Sequence, residues 1–325
     1  MTEETMTGTT GTGTTGTGTT GTGTTGTGAA GATATDRVGP VADVVRVRVP
    51  EPGLRQDVRA VKIVLHRELL RFWRDKLRMV SGLVQPVLWL LVMGTGLSNL
   101  MASGGAGGEI DLKTFIFPGV CAMSVMFTAM FSAGSIVWDR EFGFLREMLV
   151  APVSRSAIVI GKCLGGALVA TLQGVVIVAL AGLAGVPYDP MLMAELIALM
   201  FLAAFALTGF GVMMAARIKQ MQSFFALMQM AMLPMMFLSG ALYPLHGLPT
   251  WLSVLTKLNP LTYAVDPMRQ AVFSRLDLSP ELQQAFNSGV TWNGWVVPVW
   301  LQVLIVVGMG VALMSVAILE FRHSD

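Results

Sequence analysis

Six runs of roughly 20 apolar residues, each the length a helix needs to cross the hydrocarbon of a bilayer, decide what this chain can become. They fall near Met79–Leu100, Lys113–Val137, Ile158–Val186, Met191–Ala216, Met221–Tyr243 and Trp295–Leu319. Inside lipid every backbone N–H and C=O must find its partner within the protein, so runs of this length read as helices. The expected fold is an all-α integral membrane protein with about six transmembrane helices. Composition agrees: 13% of residues are charged and 53% hydrophobic, against about 25% charged in an ordinary soluble domain. A net charge of +2 gives no broad basic patch for nucleic acid.

Residues 1–53 read as a disordered Thr/Gly-rich tail and linker, because GTGTT repeats carry too little apolar surface to offset the entropy of ordering. Residues 54–78 change character. Val58, Val61, Leu65, Leu69 and Phe72 gather on one side at helical spacing, with Arg67, Arg71, Arg74 and Arg78 on another. That pattern predicts an amphipathic interfacial helix ahead of a transmembrane domain at 79–321. Arg140, Arg146, Arg155, Lys162, Arg217, Lys219 and Arg322 fall at the same end of the spans as this helix. The excess of basic residues predicts that both termini and the Asp139 loop are cytoplasmic, in a bacterial inner membrane. The segment 244–293 is then external.

Several chemistries lack their residues. The span centres hold essentially no ionisable side chains, Glu195 near an outer end being the nearest case, which disfavours a proton-driven transporter. His66, His246 and His323 are scattered without metal-ligand spacing. No GxxxxGK[ST] phosphate loop occurs. Cys121 and Cys163 read as small core residues. No catalytic residue, metal ligand or cofactor is expected on this chain, so if it pumps anything the energy must enter from another chain.

One loop concentrates charge. DREFGFLREMLVAPVSR, from Asp139 to Arg155, reads as a short helix over 139–151 with Phe142, Leu145, Met148 and Leu149 on one side. Asp139, Arg140, Arg146 and Glu147 lie opposite, Glu141 falls in the apolar sector, and Pro152 ends the helix. An ordinary solvated loop anchoring two span ends is the plainer alternative.

WDREFGFLREMLVAPVSRSAIVIGK, together with FIFPGV at 115–120, NPLTYAVDPMR at 259–269 and QPVLWLLVMGTGL at 85–97, resembles the type-2 ABC exporter permeases, in particular their daunorubicin-resistance and nodulation-permease branch. The resemblance runs from about Leu65 to the C-terminus. It implies two paired permease copies, each docked on a separate ATP-binding subunit that would hold ATP and Mg, and a short external helical hairpin between spans five and six, around Leu245–Ala285. The 139–151 segment would be the coupling helix, with Asp139, Arg140, Glu141, Gly143, Leu145 and Arg146 in the ATPase cleft and Pro152 and Arg155 shaping the exit. The resemblance also places a substrate path between spans two and five, where Phe127, Met130, Phe131, Phe225, Gln229, Met232 and Met236 stand. Met and Phe make adaptable apolar walls, which fits export of a hydrophobic drug, antibiotic or lipid-like molecule. Export of a lipid-linked glycan or envelope component is the alternative within transport. A membrane enzyme or a scaffold protein is the alternative outside it.

Overall fold

The computed structural model describes residues 53–96, 112–143, 153–242, 249–276, 289–292 and 295–323. Among them, six helices are long and apolar enough to cross a membrane. The amphipathic helix α1 spans Leu54–Arg74. A change of direction at Asp75, whose side chain accepts from the Arg78 N–H at 3.1 Å, starts α2, Lys76–Leu88. Pro86 lies inside α2 and lacks the N–H that an α-turn requires. The helix continues as a π-turn over Trp89–Met93 and reaches Gly96.

The remaining spans are α3, Leu112–Glu141; α4, Arg155–Val178; α5, Pro190–Arg217; and α6, Met221–Leu238. Two shorter helices follow as a hairpin, α7 at Thr250–Leu258 and α8 at Thr262–Phe273. A two-residue strand, β1 at Thr291–Trp292, pairs antiparallel with β2 at Trp295–Val296 before the last span, α9, Val299–His323. Both α4 and α5 start on side-chain caps: Ser154 accepts from the Ala157 N–H, and Asp189 from the Met191 N–H with Pro190 at the first helical position.

Span α3 is the most buried, followed by α4 and α5, while α2, α6 and α9 keep most of their surface exposed. Lipid is as apolar as a leucine side chain, so helices inside a membrane gain little from hydrophobicity and associate through close packing of small residues. A Cβ added to Gly211 would stand 2.7 Å from the Ala133 Cβ, and one added to Gly166 would stand 2.6 Å from Thr208 Cγ2. These glycines let α5 approach α3 and α4.

Helix α1 packs alongside α4, with Val64 against Gly161 and Glu68 against Gly165. Its buried stripe is Ala60, Val64, Glu68 and Phe72. The helix itself matches the sequence expectation; the face does not. Val58 is 61% exposed, and the buried row includes an acidic residue, Glu68.

The span ends also differ from the hydropathy pattern. The second span runs on through Asp139, Arg140 and Glu141 instead of stopping at Val137. The third ends at Val178, after which a 3-10 turn at Ala181–Ala184 closes on Gly185 in the left-handed region at φ 73°. The last begins at Val299, because Trp295 belongs to β2. Cys121 and Cys163 are buried free thiols, as expected.

Close approach of α3 to the end of α6 gives a direct test. A Cβ on Gly119 would lie 2.2 Å from the Ala241 carbonyl oxygen, whereas Gly96 has open space around it. Gly119→Val should lower stability by about 1–3 kcal/mol through overpacking, and Gly96→Val should cost well under that. The thermal unfolding midpoints of the two purified variants in detergent measure the difference.

Candidate functional site

Charges gather where α1, α3 and α4 meet. Lys162 on α4 is 3% exposed, and its Nζ donates to Glu68 Oε1 of α1 at 2.6 Å, to Asp139 Oδ2 of α3 at 2.7 Å and to Ser135 Oγ at 2.9 Å. Arg67, one residue before Glu68, donates from Nη2 to both oxygens of Asp139 at 2.7 Å. Two carboxylates therefore face two cations. Asp139 is 1% exposed and Glu68 4%. Taking charges out of water costs several kcal/mol per ion and is repaid only when each meets its partners with good geometry.

The next two residues of α3 reach other helices. Arg140 Nη1 donates to the carbonyls of Ala216 at 3.0 Å and Ile218 at 2.9 Å, at the C-terminal end of α5, and its guanidinium sits 5.7 Å from the Phe321 ring of α9. A cation is favoured there because the last carbonyls of a helix carry partial negative charge. Glu141 accepts from the Met221 N–H at 3.1 Å, the first residue of α6. Gln220 gives that helix no side-chain cap, so a carboxylate from α3 occupies the place where an anion is favoured. Three consecutive side chains, Asp139, Arg140 and Glu141, thus join α3 to α1 and α4, to α5 and α9, and to α6. Gly143, at φ 82°, turns the chain away directly afterwards.

The far side of the loop is anchored as well. Ser154 donates its backbone N–H to Asp57 Oδ1 of α1 at 3.1 Å, and Arg155 donates to the Phe321 carbonyl at 3.3 Å. Arg217 pairs with Glu320, joining α5 to α9.

The expected coupling residues are distributed as follows. Asp139 is inside the protein, not on a free polar face, because Lys162 and Arg67 neutralise it. Arg140 is half-buried against helix ends. Glu141 is exposed, and its partner is the N-terminus of α6. Leu145, Arg146 and Pro152 lie outside the described residues, as does most of the expected 139–151 helix. Glu68, Lys162 and Ser135 went unassigned in the sequence, although an acid on the α1 stripe at i, i+4 spacing from Val64 and Phe72 is a readable signal. These charges stand on α1 and toward the ends of α3 and α4, not at the span centres.

The expected path residues divide by face. On α6, Phe224, Met228, Met232 and Met236 recur every fourth residue and are buried. Met232 and Met236 therefore pack into the chain's own core, as does Met130. Phe225, 41% exposed, and Gln229 occupy the open face. Phe127 and Phe131 are half-buried, and the Phe131 ring lies 5.5 Å from that of Phe225.

At the opposite end, the NPLTYAVDPMR segment fastens the hairpin. Asn259 Nδ2 donates to the Met235 carbonyl at 2.7 Å and Thr262 to the Leu238 carbonyl at 3.2 Å. Asp266 accepts from Gln270, from the Val290 N–H and from Gln302 on α9. Arg269 donates to the Gly240 carbonyl and lies 4.3 Å from the Phe115 ring. Burial pushes its pKa down to about 10, which leaves it cationic at neutral pH.

A family model described as ABC-2 type transporter matches residues 59–273, the interval that contains both charge systems. The chain belongs to the ABC-2 type transporter family. It is similar to transport permease ycf38 of Cyanophora paradoxa, 28% identical over 218 residues, covering 64% of this chain and 72% of that one. Over 175 residues it is 30% identical to the Escherichia coli protein named multidrug ABC transporter permease YbhR, 53% of this chain and 47% of that one. Nodulation protein J of Rhizobium leguminosarum bv. viciae is 26% identical over 215 residues, 65% and 82% of the two chains. The ABC-2 chain is thus a multi-pass transmembrane permease of an ABC transporter, and its family works in association with an ABC ATP-binding subunit.

Removing the central cation of this permease should be costly. Lys162→Met strands Glu68 in the interior and leaves Asp139 with Arg67 alone, so stability should fall by about 3–5 kcal/mol, while Lys162→Met combined with Glu68→Leu and Asp139→Leu should recover much of the loss. Thermal unfolding of the purified single and triple variants checks this.

Proposed function

We propose that this permease carries a hydrophobic drug, antibiotic or lipid-like molecule out of the cell as half of a paired transmembrane unit, driven by a separate ATP-binding subunit. The observation that carries the reading is the Asp139–Glu141 turn. A push on the loop that follows it would reach α1, α4, α5, α6 and α9 through hydrogen bonds and ion pairs already in place. ATP binding and hydrolysis in a cytosolic partner would supply that push. A nucleotide state can shift the permease only as far as it binds one conformation better than another. Glu141 suits a coupling role because it is exposed and holds the first turn of α6, so moving the end of α3 would move α6.

Phe225 and Gln229, exposed on α6, with Phe127 and Phe131 on α3, are proposed to line the path between two copies. Met130, Met232 and Met236 would support this wall from behind, and their flexible side chains would let it repack around different cargoes. The name of the Escherichia coli relative, a multidrug permease, agrees with an apolar cargo. Export of a lipid-linked glycan or envelope component is the second reading. Discrimination between them rests on which class stimulates the ATPase.

Two variants test the proposal. Glu141→Ala should preserve membrane insertion and assembly with the ATP-binding subunit but abolish most substrate-stimulated ATPase activity; unchanged stimulation would remove Glu141 from coupling. Gln229→Trp, on the open face, should reduce efflux by about tenfold, roughly 1.4 kcal/mol, without loss of folded protein. Unimpaired efflux by that variant would move the path away from this face.

A further inference from the structure

Beside the elbow between α1 and α2 lies a cavity of about 160 Å3 whose lining mixes polar and aromatic side chains: Arg78, Ser81, Thr128 and Gln173 with Phe127 and Phe131. Gln173 is 1% exposed. Its Nε2 donates to the Met79 carbonyl at 2.9 Å, while its Oε1 has no hydrogen-bond partner. Buried amide oxygens are ordinarily satisfied, so a bare one marks a place where a donor is missing. Gly82 makes the room: the atom nearest to a Cβ built there would be Gln173 Nε2, at 3.5 Å.

An apolar groove of about 390 Å3 continues from the cavity along α2. Ser81 and Gln85 line both, and Val84, Leu88, Trp89 and Val92 carry the groove onward to Met93. From Ser81 to Met93 a helix advances about 18 Å. A chamber with polar side chains set among aromatic ones, opening into an apolar furrow of that length, matches one kind of molecule, an amphiphile with a compact head and an acyl tail.

We infer that this elbow is a binding site for a bilayer phospholipid whose head group carries both a phosphate and a hydrogen-bond donor, such as phosphatidylglycerol or phosphatidylethanolamine. The Arg78 guanidinium, with its fork of donors, meets the phosphate. The Thr128 hydroxyl adds a further donor to it. The hydroxyl or ammonium group of the head donates to Gln173 Oε1, and the tail lies along the α2 groove. A choline head group, which has no N–H or O–H, leaves Gln173 Oε1 unmet and binds more weakly. The site goes beyond the export reading, since occupancy requires neither ATP nor a partner subunit.

Native mass spectrometry of the purified full chain in detergent, with phosphatidylethanolamine, phosphatidylglycerol or phosphatidylcholine added, tests the site. The first two should bind at least about tenfold more tightly than the third, a difference near 1.4 kcal/mol. Gln173→Leu should erase that preference, and Arg78→Gln should weaken both favoured lipids. Arg78 is exposed, so its substitution decides the matter if Gln173→Leu fails to fold. Soluble glycerol 3-phosphate should not displace the lipid, because it lacks the tail. Equal binding of the three lipids, unchanged binding by both variants, or full displacement by glycerol 3-phosphate would each overturn the assignment.

Discussion

A buried lysine held between two buried acids is the interaction on which the rest of this permease depends. Lys162 stands on α4, Glu68 on α1 and Asp139 on α3, and Arg67 returns a second positive charge to Asp139. Each ion is tolerable only while the others are present. The three helices therefore meet in one register, with little freedom to slide. Apolar contact alone would not fix that register in a membrane, where lipid competes on equal terms with any leucine. The glycines at 161 and 165 bring α1 close enough for the charges to meet.

From that fixed point the chain reaches outward. Arg140 and Glu141 occupy opposite kinds of helix terminus, a cation on the carbonyl end of α5 and an anion on the N–H end of α6. One helical turn so collects the ends of most of the bundle. At the other end the hairpin is held by a second polar system, in which Asp266 gathers donors from α8, α9 and the segment before β1. Two polar clamps with an apolar bundle between them suit a device that must move its middle without coming apart at its ends.

Much of this was legible in the sequence and some was not, for physical reasons. Six spans, the amphipathic helix and the hairpin follow from hydropathy, periodicity and resemblance, because those signals are local. The ends of the spans are not local. Val137 looks like the last residue of its span because charges follow, yet the helix continues, since Asp139, Arg140 and Glu141 find partners on other helices, from 23 positions away in sequence at Lys162 to 80 at Met221. Lys162 reads as a basic residue at a span end and is the centre of the cluster. Glu68 was visible as an acid on an apolar stripe, whereas its partner was not. On α6, a run rich in Met and Phe marks an adaptable surface, but only the structure divides the buried 224, 228, 232, 236 row from the open face of Phe225 and Gln229.

The central claim is that α1 and the ends of α3 and α4 move as one body when the partner ATPase acts. Spin labels at Arg59 on α1 and Phe142 just beyond α3, both exposed, report on it by pulsed dipolar spectroscopy in the assembled transporter. The distance distribution between them should be unchanged between the nucleotide-free and ATP-bound states, while the distance between Gln229 labels on the two copies changes. A shift in the Arg59–Phe142 distance on ATP binding would contradict the account.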